Sequence, residues 1–255
     1  MTTLDLTPAP GAAPIARMLA AQTVVELRLL LRRGESFLLL AVIPLLLLVA
    51  FSQTSVVDVD EGRRIDFLVP GIIALSVMST AFTGQAISTG FERQYGVLKR
   101  LGATALPRSV LLLAKTLAVF AIEMVQIGLV VAVGFALDWH PHGNPLPVLV
   151  LLLLGTVAFS GLGLLIAGTL RAEATLAGAN LVYVLLLGIG GVVFPLSKFP
   201  DGVRRMSEQL PITALSDGLR AVFRDGGTVS AHDWLVLAGW AVAALTAAAA
   251  TFRWE

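Results

Sequence analysis

Six stretches dominated by apolar residues, each about 17 to 28 residues long, alternate with short polar segments: Phe37–Gln53, Leu68–Gly90, Val110–Leu137, Leu146–Leu170, Leu176–Phe194 and Trp234–Phe252. At about 1.5 Å of rise per residue these lengths match a hydrocarbon core of roughly 30 Å, so each stretch predicts a membrane-spanning helix. Ahead of the first span the pattern changes. Between Pro14 and Arg33, Leu19, Ala20, Val24, Leu27, Leu30 and Leu31 fall on one arc of a helix, with Arg17, Arg28 and Arg32 outside it. This predicts an amphipathic helix lying in the membrane surface. Met18, Val25 and Leu29 interrupt its polar side, so a helix sandwiched between lipid and protein fits equally. Gly34 marks the turn into the bilayer. The expected fold is an all-α membrane protein, with a tail and interfacial helix over 1–36 and a six-span domain over 37–255.

Composition agrees with the pattern: 56% of residues are hydrophobic, 14% are charged and mean hydropathy is +0.86, more apolar than a soluble fold can hide. A formal charge of +1 gives no reason to expect a nucleic-acid partner. The basic residues report topology instead. With six spans, Arg17, Arg28, Arg32, Arg33, Arg93, Lys99, Arg100, Arg108, Arg171 and Arg253 share one side, whereas the two short loops opposite carry Arg63 and Arg64 against Asp58, Asp60, Glu61, Asp66 and Asp138. The positive-inside rule then places both termini in the cytoplasm of a multi-pass protein of the cell membrane. The 195–233 segment holds five basic residues, but long external segments cross with little regard to charge. Trp139, Trp234 and Trp254 stand near span ends, where interfacial anchors are expected. The first residues lack a basic stretch followed by an apolar one, so a cytosolic tail is expected rather than a cleaved leader.

Candidate chemistry is sparse. There is no cysteine, and Lys99, Lys115 and Lys198 each follow a residue other than glycine, so the phosphate cradle of an ATPase is missing. Neither an H-E-x-x-H helix nor a G-x-S-x-G elbow occurs. His140, His142 and His232 lie in loops, and no metal site is assigned. Within the spans, Glu123 is the one deep acidic residue, with Gln126 on the same helical face. A carboxyl at that depth must be neutral, paired or facing a cavity, so Glu123 either lines a transport pathway or bonds Gln126 or an adjacent helix. Asn180 is a second pathway or interhelical candidate. Ser76, Thr80, Gly84 and Ser88 form a stripe of small residues suited to close helix approach. Gly188, Gly190 and Gly191 loosen the end of the fifth span, which Pro195 terminates.

The segment Phe91-Glu92-Arg93-Gln94-Tyr95-Gly96-Val97-Leu98-Lys99-Arg100-Leu101, followed by Pro107-Arg108, resembles the first internal loop of type-2 ABC exporter permeases. The external segment is similar to the same family: Phe194-Pro195-Leu196, Phe199-Pro200, Arg204-Arg205-Met206, Leu210-Pro211-Ile212-Thr213 and Leu219-Arg220. The resemblance implies a coupling helix that docks on a separate ATPase subunit, with Glu92, Arg93, Gly96, Leu98, Lys99, Arg100 and Leu101 in that role. It also implies short external gate helices between the fifth and sixth spans, marked by Pro195, Pro200, Pro211 and Arg220. Ala103-Thr104-Ala105-Leu106-Pro107 departs from the family's adjacent threonine and proline. On this reading the chain is the transport subunit and not an enzyme. It binds no cofactor itself, and ATP and Mg are used by the partner. Two ABC ATPase subunits, a second permease copy or paralogue and the lipid bilayer are the expected partners. Drug or antibiotic export, similar to that of daunorubicin-resistance-type multidrug efflux permeases, is the preferred expectation, because the external segments are too short to form an added carbohydrate-binding domain. Export of a lipid-linked glycan, lipid or peptide, and a membrane-bound enzyme or assembly factor, are the alternatives.

Overall fold

A computed structural model describes residues 13–32, 34–54, 63–224 and 227–251, with only the backbone described for 34–41. The expectations for the tail, for Asp58, Asp60 and Glu61, and for Phe252, Arg253 and Trp254 lie outside the described residues. All regular structure among the described residues is helical: α1 (Ile15–Arg32), α2 (Gly34–Gln53), α3 (Arg64–Val77), α4 (Gln85–Gln94), α5 (Val97–Gly102), α6 (Arg108–Ala136), α7 (Pro145–Thr169), α8 (Ala172–Ile189), α9 (Asp201–Ser207), α10 (Pro211–Phe223) and α11 (Ala231–Thr251). A π-helical segment, Met78–Gly84, joins α3 to α4 in one continuous helix, Arg64–Gln94. Among the described residues five helices are long and apolar enough to cross a membrane: Arg64–Gln94, Arg108–Ala136, Pro145–Thr169, Ala172–Ile189 and Ala231–Thr251. Within α2, the apolar stretch counted among described residues is Val42–Gln53, shorter than a span.

The α3–α4 helix is the axis of the bundle. Every residue from Leu68 to Val77 is buried, surrounded by α2, α6, α7 and α10. Its π segment has a partner in sequence. A Cβ on Gly163 of α7 would lie 2.8 Å from the Phe82 carbonyl oxygen and 3.1 Å from that of Ala81, so the glycine makes room for the widened turn. Helix starts follow local chemistry. Asn144 caps α7 by accepting from the Leu146 amide, with Pro145 in the first turn, and Pro211 opens α10 where no amide donor is needed.

Three expectations are corrected. The fifth span ends at Ile189, not Phe194, because the chain turns at Gly190 and Gly191, the latter at φ +68°. Trp139 is not an exposed anchor: it is 1% exposed and sits edge-on to Phe223 at 5.1 Å, burying its ring area against protein. The inward arc of α1 is rotated from the apolar reading. Val24 and Leu31 point outward, and Glu26 is buried instead, for a reason found at the next level of structure.

Candidate functional site

At the end of the bundle shared by α1, α5 and the start of α6, three consecutive side chains reach four helices. Lys115 of α6 places its Nζ 2.6 Å from Glu92 Oε2 at the end of α4 and 2.9 Å from Glu26 Oε2 of α1. All three are buried, so the ammonium is what allows two carboxylates to leave water. Arg93 donates to the carbonyls of Gly168, at 2.8 Å, and Leu170, capping the end of α7 where carbonyls lack helical partners. Gln94 donates to Glu173 at the start of α8, 2.7 Å away.

Beyond this node the chain turns at Gly96, φ +68°, a conformation that favours glycine. It then forms α5, whose Leu98 is fully buried with Leu111, Leu112, Leu164 and Ala248. Lys99, Arg100 and Tyr95 are exposed, Tyr95 by 68% with its ring stacked on Phe91, while Leu101 is half-buried. The structure therefore divides the proposed docking residues. Lys99 and Arg100 form an outward face, Leu98 anchors the helix, and Glu92 and Arg93 connect it inward. Sequence reasoning missed that Lys115 gathers Glu26 and Glu92. A lone acid in an otherwise apolar or basic helix, and a lysine two turns inside a span, were the available signals.

Midway along the bundle lies a polar layer. Thr80 of the π segment donates to Gln126 at 2.7 Å, and Ser160 of α7 donates to Gln85 at 2.9 Å. Glu123, fully buried, bonds Thr156 of α7, whose Oγ1 also lies 2.8 Å from the Leu152 carbonyl. A hydroxyl has one hydrogen and that carbonyl can only accept. Thr156 donating to Glu123 shares its one hydrogen between two acceptors, whereas a neutral Glu123 donating to Thr156 while Thr156 donates to Leu152 satisfies both contacts in full. Glu123 therefore pairs with an adjacent helix and not with Gln126. Thr83 Oγ1, Gln85 Nε2, Thr89 Oγ1 and Glu123 Oε1 are buried here without a hydrogen-bond partner. Asn180 is not in this layer: its side chain is exposed and donates to the Leu176 carbonyl of its own helix at 2.9 Å.

At the opposite end, between α8 and α11, lie a short 3-10 turn (Leu196–Lys198), α9 and α10, with Pro195 and Pro200 immediately before the first two and Pro211 opening the third. Arg220 of α10 is buried. It donates to the carbonyls of Val192 at 2.8 Å and Phe67 at 3.3 Å, pairs with Asp217 at 2.8 Å, and covers the Phe67 ring at 3.7 Å from its centroid. Burial lifts the Asp217 carboxyl above its ordinary value, and the Arg220 guanidinium opposes that shift. Trp240 of α11 donates to the Gln209 carbonyl at 2.9 Å, which draws the α9–α10 corner down alongside α11, more than two turns from that helix's first residue.

The family profile described as "ABC-2 type transporter" matches residues 20–223. The Linearmycin resistance permease protein LnrN of Bacillus subtilis (strain 168) is 28% identical over 187 residues, 71% of this chain and 48% of that protein. The chain thus spans about half the length of that relative. "Probable doxorubicin resistance ABC transporter permease protein DrrC" of Mycobacterium tuberculosis (strain ATCC 25618 / H37Rv) is 26% identical over 233 residues, 86% of this chain and 83% of that protein.

Proposed function

The chain belongs to the ABC-2 type transporter family, and from that premise we propose that it is the multi-pass membrane subunit of an exporter powered by separate ABC ATPase subunits. Two ATPase copies, using ATP and Mg, act on a pair of permeases, either two copies of this chain or this chain with a paralogue. In this reading α2 is the first of six spans, α1 lies in the inner interface, both termini are cytoplasmic, and α9 and α10 are the external gate. Export of a drug or antibiotic is the preferred activity, supported by the names of the linearmycin- and doxorubicin-resistance relatives. A lipid, lipid-linked glycan or peptide is the alternative cargo on the same scaffold.

The observation that carries the proposal is the construction of the α4–α5 turn. A docking helix must present an outward surface yet be tied rigidly to what it moves. Lys99, Arg100 and Tyr95 supply the surface, Leu98 and Gly96 the seat and the turn, and Glu92, Arg93 and Gln94 the ties to α1, α6, α7 and α8. Drawing two such loops together as the ATPases close would bias the spans between two states. Glu123, Gln126 and Asn180 are the pathway candidates, the first two in the buried layer and Asn180 on the exposed face of α8.

The test is co-purification with the ATPase encoded by the neighbouring reading frame, with ATP hydrolysis measured in detergent. Wild type should assemble and stimulate ATP hydrolysis, Lys99→Glu/Arg100→Glu should lose assembly, and Glu92→Gln should assemble but lose the stimulation. If no ATPase associates, or the charge-reversed chain assembles as wild type does, the docking assignment fails and the membrane-enzyme or assembly-factor reading takes its place.

A further inference from the structure

The burial of Glu26 fixes what the other side of α1 presents. At about 100° per residue, Arg28 stands roughly 200° and Arg32 roughly 240° around the helix from Glu26, facing away from α6. Arg28, Arg32, Val25, Leu29 and Leu31 line a shallow notch of about 410 Å³. Val25 is 45% exposed and Leu31 52% exposed, although α1 is not among the helices apolar enough to span. Aliphatic side chains and two guanidiniums on one outward surface match a phosphate joined to acyl chains, because arginine stems lie along apolar surface while their heads reach charge.

We propose that this notch seats an anionic phospholipid, its phosphate between Arg28 and Arg32 and its acyl region against Val25 and Leu29. Because Glu26 projects from the opposite side of the same helix onto Lys115, which also holds Glu92, the lipid sets the position of α1 against the α4–α5 node. Lipid charge thereby regulates the part of the protein that the ATPase moves. The inference rests on α1 being interfacial, as proposed above, and not on the ATPase itself.

The experiment uses the purified full chain in mild detergent, following thermal unfolding as short-chain phosphatidylglycerol, phosphatidylcholine or inorganic phosphate is added. A saturable rise with phosphatidylglycerol alone is expected. Arg28→Gln/Arg32→Gln should weaken its apparent affinity by roughly 30-fold, at about 1 kcal/mol for each basic side chain near an anionic surface. Arg28→Lys/Arg32→Lys should keep most of it, and Arg204→Gln/Arg205→Gln, at the other end of the bundle, should change nothing. Glu26→Gln should keep both the affinity and the rise, and should instead lose the protection from amide hydrogen exchange that phosphatidylglycerol gives the 92–101 segment of the intact chain. Equal effects of phosphatidylcholine, or an unchanged double variant, overturn the site. Equal effects of inorganic phosphate make it a free-anion site, and a smaller oligomer in the double variant makes it a contact between copies. Undiminished protection of that segment in Glu26→Gln overturns the link to the node. An ATPase that fails to bind would sink the exporter reading and leave these results standing.

Discussion

Among the described residues each end of the bundle holds one buried cation, and the two are satisfied in different ways. Lys115 holds two side-chain carboxylates, Glu26 and Glu92, from two other helices. Arg220 holds mainly backbone carbonyls, those of Val192 and Phe67, with Asp217 from its own helix. The Lys115 cluster has two acids for one base, so it depends on every member and on charges outside it. Arg220 meets fixed dipoles that no protonation can remove. An ammonium is a compact point charge, whereas a guanidinium's forked donors reach several oxygens at once, and each cation suits its surroundings. The first cation is held by titratable side chains and the second largely by backbone.

The largest test of this contrast is Lys115→Met, which leaves two buried carboxylates facing each other. It should cost about 3–5 kcal/mol in detergent unfolding, and adding Glu26→Gln with Glu92→Gln should recover most of the loss. Arg220→Met should cost about 2–4 kcal/mol by orphaning the Phe67 and Val192 carbonyls, and no single neutralisation of Asp217 should rescue it. The difference in rescue by neutralisation is the measurement that separates the two pins. Gly71→Ala should cost about 1–3 kcal/mol, because the new Cβ would lie 2.4 Å from the Val192 oxygen and 2.9 Å from Arg220 Nη2. The smallest effect belongs to Glu123→Gln. An amide can replace a protonated carboxyl as donor to Thr156, so stability should change by less than about 1 kcal/mol. A larger loss on Glu123→Gln would mean that the carboxyl is ionised.

Long uninterrupted features were legible in advance. The third and fourth spans were placed within two residues of α6 and α7, since an apolar run bounded by proline and polar residues leaves little choice of ends. The starts of the short helices after α8 were legible too, because Pro195, Pro200 and Pro211 each fix φ and remove a donor where one begins. The second span was foreseen at Leu68–Gly90, but its continuation through Gln94 was not, because the charged end of α4 carries no apolar signal. The π segment was invisible as well: nothing in Met78–Gly84 marks it, and its cause, the space left by Gly163, lies on another helix.

The sequence by itself determined that this is a helical membrane chain, where the cores of its apolar helices lie, and that it has no phosphate-cradle motif. Those follow from lipid's demand that backbone polar groups be satisfied within each helix, a local requirement written into each stretch of chain. Only the tertiary structure decided which way α1 faces, which carboxylates Lys115 gathers, and which helix Glu123 bonds. A buried charge takes its partner from whatever element is adjacent in space, and Glu26, Glu92 and Lys115 are brought together across 89 positions of sequence.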